Sequence, residues 1–162
     1  MEPGAGLRHS AAMLAEELLG ATALPLPIIA VRLVGAAALC ALIGLEREAE
    51  DRAAGLRTHM LVGMAGSAFA LITVNIIEIY ADRPEVIRLD PIRLVEAATA
   101  GVAFLAAGMI VLSRGRVRNL TTGAGMWLAA AIGLAAGLGL WPIAGLAAVL
   151  GFLIHLLGRW TH

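Results

Sequence analysis

Five long apolar runs constrain this chain more than any other feature of its sequence. Each run has 16 to 22 residues and few charges, close to the length that a helix needs to cross the roughly 30 Å hydrocarbon core of a bilayer. A segment in lipid must satisfy its own backbone hydrogen bonds, so each run is predicted to be a helix. The sequence therefore predicts an all-α fold, a polytopic transmembrane helical bundle of five spans, at 28–45, 59–80, 91–112, 120–140 and 143–158.

Composition agrees with a membrane protein and argues against other classes. Apolar residues make up 60% of the 162 residues and charged residues only 15%, so a water-soluble domain of this kind would expose too much apolar surface. The formal net charge is zero, which gives no reason to expect a nucleic-acid partner. The single cysteine, Cys40, lies inside the first run and is expected to behave as a small apolar residue.

The chain divides near residue 25 into an N-terminal segment, 1–24, and a transmembrane domain, 25–162. The segment lacks the pattern of a signal peptide, because Glu16 and Glu17 interrupt its apolar stretch, and we expect it to be retained. Its apolar residues recur at helical spacing, which fits a short helix on the bilayer surface. A frayed terminus fits the pattern almost as well.

The most polar part of the chain is the stretch 44–59, which holds seven of the 24 acidic and basic residues. The first helix is expected to continue into water through Ala53 and to end at Gly55, with Thr58 capping the second helix. Charges four residues apart would support this extension as ion pairs. The expected pairs are Arg47 with Asp51 and Glu48 with Arg52.

Other helix ends carry weaker signals. Asp90 followed by Pro91 is typical of a cap and first turn, here of the third helix. Residues 113–119 are predicted to form a basic loop, and Trp141 with Pro142 a tight turn between the last two spans.

Arginine positions predict the orientation of the bundle. Five spans put the termini on opposite sides, so the loops around 46–58 and 113–119 share a face with the C-terminus. That face carries seven arginines against three on the other, which places the N-terminus outside and the C-terminus in the cytoplasm by the positive-inside rule. The seven are Arg47, Arg52, Arg57, Arg114, Arg116, Arg118 and Arg159, and the three are Arg8, Arg83 and Arg88.

No motif for catalysis or metal binding is present, and the four histidines are spread over different predicted depths. We therefore expect no enzyme activity and no cofactor. Polar side chains at the helix ends remain, either as topology anchors and caps or as a site where arginines meet an anionic group or carboxylates meet a cation. The candidates are Glu46, Arg47, Glu48, Arg57, Thr58, Asp90, Arg93, Asn119, Thr121 and Thr122.

Two of the polar stretches, 44–59 and 113–122, are predicted to lie against each other. Both join spans at the same membrane surface, and their charges are complementary. The expected ion pairs join Glu46, Glu48 or Asp51 to Arg114, Arg116 or Arg118.

Arg32 and Glu96 are charges inside otherwise apolar spans, each five residues after a proline. Both spans begin on the predicted outer side, so the two charges should lie at similar depth, roughly 7 Å below their helix starts. Charges in a bilayer are costly when unpaired, which favours a mutual ion pair. Two alternatives stay open: Glu96 faces a water-filled path and binds a cation or proton, or Arg32 extends outward alone.

Three blocks of the chain resemble the MgtC/SapB family of bacterial inner-membrane proteins. They are GLEREAEDRAAGLRTHMLV at 44–62, DPIRLVEAATAGVAFLAAG at 90–108 and NLTTGAGMWLAAAIGLAAGLG at 119–139. Ala103 and Ala106 stand where the family usually has glycine. The chain is similar to the short, SapB-like members, in which no soluble C-terminal domain follows the spans.

This resemblance implies a multi-pass protein of the bacterial inner membrane. Family roles are growth in low magnesium, survival inside host cells and modulation of the F-type ATP synthase, which implies a regulatory or interaction role. The alternative is a cation transporter or channel. Expected partners are the lipid bilayer, a membrane complex such as that synthase, and a second copy of the chain.

The predicted orientation can be tested with a reporter enzyme that is active only in the periplasm. Fused after His162, the reporter should stay silent, because the arginine-rich face is held in the cytoplasm. The same reporter fused after Asp82, in the predicted outer loop, should be active. Immunoblots confirm that both fusions are made, and strong activity of the C-terminal fusion would contradict the orientation.

Overall fold

The computed structural model describes residues 9–10, 12–14, 22–82, 90–113 and 116–158. The predicted N-terminal surface helix lies largely outside the described residues, although 9–10 and 12–14 are helical and exposed. Outside them also lie Arg8, Arg83, Arg88, Arg114 and Arg159.

Within these described residues, five helices are long and apolar enough to cross a membrane, which confirms the predicted fold class. Their outer surfaces are strongly apolar: Phe104 is 80% exposed, and Val34 and Ile154 are each 67% exposed. Such a surface suits lipid and not water. The helices are α1 (Leu26–Ala49), α2 (Leu56–Ile79), α3 (Pro91–Met109), α4 (Leu120–Gly137) and α5 (Trp141–Gly158).

Helix α4 is the centre of the bundle. It contacts each of the other four helices, and 67% of its span is buried, against 11% to 28% for the others. Its sequence is rich in alanine and glycine, so neighbouring backbones approach it closely. Cys40 lies in this core as a buried free thiol whose Sγ donates to the carbonyl of Ala129 at 3.4 Å.

Glycines set the crossing of α2 and α4. A Cβ atom at Gly133 would overlap the carbonyl oxygen of Gly63, and one at Gly137 would lie 2.5 Å from the carbonyl oxygen of Ser67. A Cβ atom at Gly66 would lie 2.8 Å from the carbonyl oxygen of Ala130. The small residues of these two spans therefore serve packing within one bundle.

The basic loop predicted at 113–119 is partly wrong. Helix α3 ends at Met109, and the chain forms an antiparallel hairpin of β1 (Val111–Ser113) and β2 (Arg116–Arg118). Asn119, in the left-handed region at φ 64°, donates from Nδ2 to the carbonyl of Met109 at 3.0 Å. This bond satisfies a carbonyl at the end of α3 and brings the start of α4 beside it.

Two other predicted helix ends are wrong, and one is right. Helix α1 ends at Ala49 and not at Ala53, because Asp51 has a positive φ of 52° that breaks the helix. The turn before α5 lies at 138–140, with Gly139 at φ 79°, and Trp141 already belongs to the helix. Asp90 caps α3 as predicted, since its Oδ1 accepts from the N–H of Ile92 at 3.0 Å.

The glycine crossing predicts how substitutions in two helices should differ. Gly133→Ala should lower the melting temperature in detergent, because the new methyl group meets the α2 backbone and overpacking costs about 1 to 3 kcal/mol. Gly101→Ala is the matched control, since a Cβ atom there meets nothing within 4 Å. Equal melting temperatures for the two variants would contradict the close crossing.

Candidate functional site

The candidate site lies at one end of the bundle, here called the Arg47 end, where α1, α3 and α5 finish and α2 and α4 begin. Arg47, near the end of α1, is only 3% exposed. Its Nη2 donates to Oγ1 of Thr121 at 3.2 Å and to Oγ1 of Thr122 at 2.9 Å. The predicted contact between 44–59 and 113–122 is therefore confirmed, through threonines and not through ion pairs.

Glu46 lies beside Arg47 and is also buried. Its Oε2 is 4.0 Å from Nη1 of Arg47, beyond hydrogen-bond range. The predicted solvated extension is wrong at these two residues, because the last turn of α1 packs inside the bundle instead of entering water.

The predicted ion pairs of the stretch 44–59 are also wrong. Glu48 caps α2, since its Oε2 accepts from the N–H of Leu56 at 2.9 Å, and Thr58 lies inside the helix that it was expected to cap. Arg52 pairs with Glu50 at 2.7 Å. Within the described part of the chain, no ion pair joins Arg118 to Glu46, Glu48 or Asp51.

Two histidines that were expected at different depths lie close together at this end. His59 is fully buried and donates from Nδ1 to the carbonyl of Gly55 at 2.9 Å. Nδ1 of His155 lies 3.4 Å from Nη1 of Arg47, which can only donate, so this nitrogen accepts. A Cβ atom at Gly125 would lie 3.1 Å from Nε2 of His59 and 3.3 Å from Nε2 of His155.

The two rings therefore face one space that exists because residue 125 is glycine. The bond from Arg47 requires a neutral His155 with its proton on Nε2, and in a neutral His59 the bond to Gly55 makes Nε2 an acceptor. Their depth could have been predicted, since His59 begins the second span and His155 is near the end of the fifth, both at the predicted inner face.

Arg52 and Glu50 form the rim of the site. Nε and Nη2 of Arg52 both donate to Oε2 of Glu50, at 3.0 and 2.7 Å. These hydrogen bonds hold the pKa of the Glu50 carboxyl below its ordinary value, so the group is charged at neutral pH. Neither residue was among the predicted site residues.

The remaining candidates are dispersed. Arg57 is exposed in the first turn of α2, and Asn119 joins the hairpin to α4. Asp90 and Arg93 lie at the opposite end of the bundle, exposed and 4.0 Å apart. Among the residues that the structure describes, no group of three or more His, Cys, Asp or Glu side chains could hold a metal ion.

The favoured ion pair of Arg32 with Glu96 is wrong. Arg32 donates from Nη1 to the carbonyl of Gly137 at 2.8 Å, where the negative end of the α4 dipole favours a cation. Glu96 is exposed on α3. The ion pair does not form because α4 packs against both spans and the carbonyl of Gly137 accepts the hydrogen bond from Arg32.

The geometry predicts that two arginines only five residues apart differ in their contribution to stability. Arg47→Lys should lower the melting temperature clearly, because an ammonium group cannot reproduce the fork of hydrogen bonds in a buried site, each worth about 1.5 to 3 kcal/mol. Arg52→Lys is the matched control on the rim, where an exposed pair contributes about 0 to 1 kcal/mol. Similar melting temperatures would show that the Arg47 bonds add little.

Comparison with known proteins gives consistent relatives. Over 128 residues the chain is 33% identical to the "Putative magnesium transporter YhiD" of Escherichia coli (strain K12), covering 76% of this chain and 57% of that protein. It is 34% identical over 135 residues to "Protein MgtC" of Brucella abortus (strain 2308), covering 83% of this chain and 53% of that protein. It thus spans just over half the length of these two relatives.

A third relative is covered more fully. "Protein SrpB" of Synechococcus elongatus (strain PCC 7942) is 36% identical over 135 residues, which are 78% of this chain and 72% of that protein. No solved structure is a significant match. The model of the MgtC family matches residues 33–162, which include all five spans except the start of the first. The chain is a multi-pass membrane protein and belongs to the MgtC family.

Proposed function

We propose that this protein acts in the bacterial inner membrane through interaction with another membrane component, in the response to magnesium limitation, and that the Arg47 end is its contact surface. Family membership supports the link to magnesium, as does the name of the relative YhiD. A role in virulence belongs to the same proposal and is supported only by the relationship to MgtC.

The observation that carries the proposal is the buried guanidinium of Arg47 between α1, α4 and α5. A cation crossing this end of the bundle would have to pass a fixed positive charge. At about 4 Å and an effective dielectric constant of about 20, the guanidinium by itself repels each unit of positive charge by about 4 kcal/mol. This cost is doubled for Mg²⁺, so the site is better suited to recognition than to cation passage.

Arg57 is the residue best placed to meet a partner. It is exposed in the first turn of α2 and, within the described residues, makes no side-chain hydrogen bond or ion pair. A cation at a helix N-terminus is unfavourable in isolation. A carboxylate of a partner protein would offset this unfavourable interaction by pairing with Arg57 at an interface, where Arg is a common contact residue.

A second candidate function is cation transport. The name of YhiD favours it, and so does Glu96, an exposed carboxylate in the third span. An ionisable residue within a span is a candidate for an ion path. In this case α3 would line the path and Glu96 would bind the ion.

The interaction can be tested by affinity purification of the full chain from cells grown in low magnesium. We expect co-purification of a membrane complex, with subunits of the F-type ATP synthase as the first to be quantified by mass spectrometry. Arg57→Gln should reduce the recovered complex about tenfold, as expected for loss of a charge-assisted contact. Arg93→Gln, which removes the same charge at the opposite end, is the control and should leave recovery unchanged.

Transport is tested separately with purified protein in liposomes that contain a fluorescent magnesium indicator. The proposal predicts no flux above that of empty liposomes. Two results together would favour transport over the interaction role. One is a saturable flux that Glu96→Ala abolishes, and the other is equal recovery of the complex with Arg57→Gln and Arg93→Gln.

A further inference from the structure

A cavity of about 290 Å³ opens beside Arg47, between the first turn of α4 and the last turns of α1 and α5. Its wall has two different halves. The polar half is formed by Arg47, Arg52, Glu50, Thr121 and His155, and the apolar half includes Leu128 and Ile154. The cavity thus joins a polar end of the bundle to a lipid-facing groove.

The polar half presents hydrogen-bond donors. Thr121 accepts from Arg47, which leaves its hydroxyl proton available to a ligand. His155 likewise accepts at Nδ1, so its Nε2 donates. Nε of Arg47 is buried and has no partner among the described residues. Since Arg47 is more than nine-tenths buried, its donors are held in fixed directions.

Helix α4 adds to the positive character of the cavity. Its N-cap, Asn119, makes no side-chain cap bond, so the N–H groups of the first turn are not used by a cap. The N-terminus of a helix carries partial positive charge and binds anions, and here a guanidinium is placed beside it. At the opposite end of α4 the arrangement is the reverse, since Arg32 meets a helix C-terminus and is matched by the carbonyl of Gly137.

The acidic residues do not occupy the donors of Arg47, Thr121 and His155. Glu50 lines the cavity, but its carboxylate already accepts two hydrogen bonds from Arg52. Glu46 is 4.0 Å from Arg47 and is not part of the cavity wall. An anionic ligand would therefore find a guanidinium and several donors in one place.

We propose that this cavity binds a phosphate-type oxyanion, carried either by the headgroup of an anionic phospholipid or by free phosphate. Three oxygens of a phosphate group match the donor groups of Arg47, Thr121 and His155, which line the same cavity. The apolar half, with Leu128 and Ile154, would take the start of an acyl chain. The ligand lies where helices end, which is the headgroup level of a bilayer.

This inference deepens the proposed function, because both concern the Arg47 end of the bundle. It rests on the proposed function only in the choice of that end. Binding of a phosphate group is measured on the purified chain without any partner protein. If no partner complex is captured, the phosphate proposal therefore still stands. If no phosphate group binds, the proposed Arg57 contact still stands.

The test uses the full chain, delipidated in a neutral detergent and examined by native mass spectrometry. Phosphatidylglycerol and phosphatidylcholine with identical acyl chains are added in turn. We expect phosphatidylglycerol to be retained at about tenfold lower concentration, the difference made by one charge-assisted contact. Binding of inorganic phosphate to the same preparation is measured by calorimetry.

Three substitutions test whether the ligand binds in the cavity. Arg52→Gln, on the rim, should weaken retention about tenfold, because the charge of Glu50 is then no longer matched. Arg118→Gln is the matched control, since Arg118 is exposed at the same end and does not line the cavity. Arg47→Gln should abolish binding, and its elution volume in size-exclusion chromatography shows whether it is folded.

The outcomes separate the two sources of phosphate. A preference for phosphatidylglycerol that Arg52→Gln removes and Arg118→Gln keeps supports the lipid headgroup. Phosphate binding with the same dependence, but without a lipid preference, supports the free ion. Equal retention of the two lipids without phosphate binding would overturn the proposal. Equal effects of the Arg52 and Arg118 substitutions would also overturn it, because they would indicate unspecific surface charge.

Discussion

Backbone contact between α2 and α4 is the constraint on which the rest of the bundle depends. The carbonyl of Gly63 occupies the space where a side chain at residue 133 would be, and Ser67 and Gly137 repeat the contact one turn further on. Lipid supplies no hydrophobic force to bring helices together, so such close packing is a main source of association. With α4 held in this way, its remaining faces are available to α1, α3 and α5.

The central position of α4 also decides the chemistry of both ends. Each end of the helix has one arginine from α1, Arg32 at the C-terminus and Arg47 at the N-terminus. The backbone dipole matches the first cation and opposes the second. One end is therefore internally satisfied, whereas the other brings together a guanidinium, two threonines and two histidines. The same residue type is matched by a helix C-terminus at one end and lines a cavity at the other.

Much of the fold could be predicted because lipid leaves few choices for an apolar run. The number of spans and the Asp90 cap follow from local sequence. Helix ends at Ala49 and Met109 were not predicted, because they depend on a positive φ at Asp51, which is uncommon for a residue other than glycine, and on a short hairpin between strands of three residues. Within the site, Arg47, Thr121 and Thr122 were among the predicted residues, but the contact between their two stretches was expected to consist of ion pairs between other residues.

The sequence by itself determined that the chain forms five membrane helices and which of them carry polar ends, because hydropathy and length act locally. Only the tertiary structure decided which polar groups meet. Arg47 turned inward to threonines 74 and 75 residues away, and Glu48 capped the next helix at Leu56. His59 and His155 met across Gly125 because three helices converge there. Such contacts depend on the rotation of each helix about its axis, which packing sets and local sequence does not.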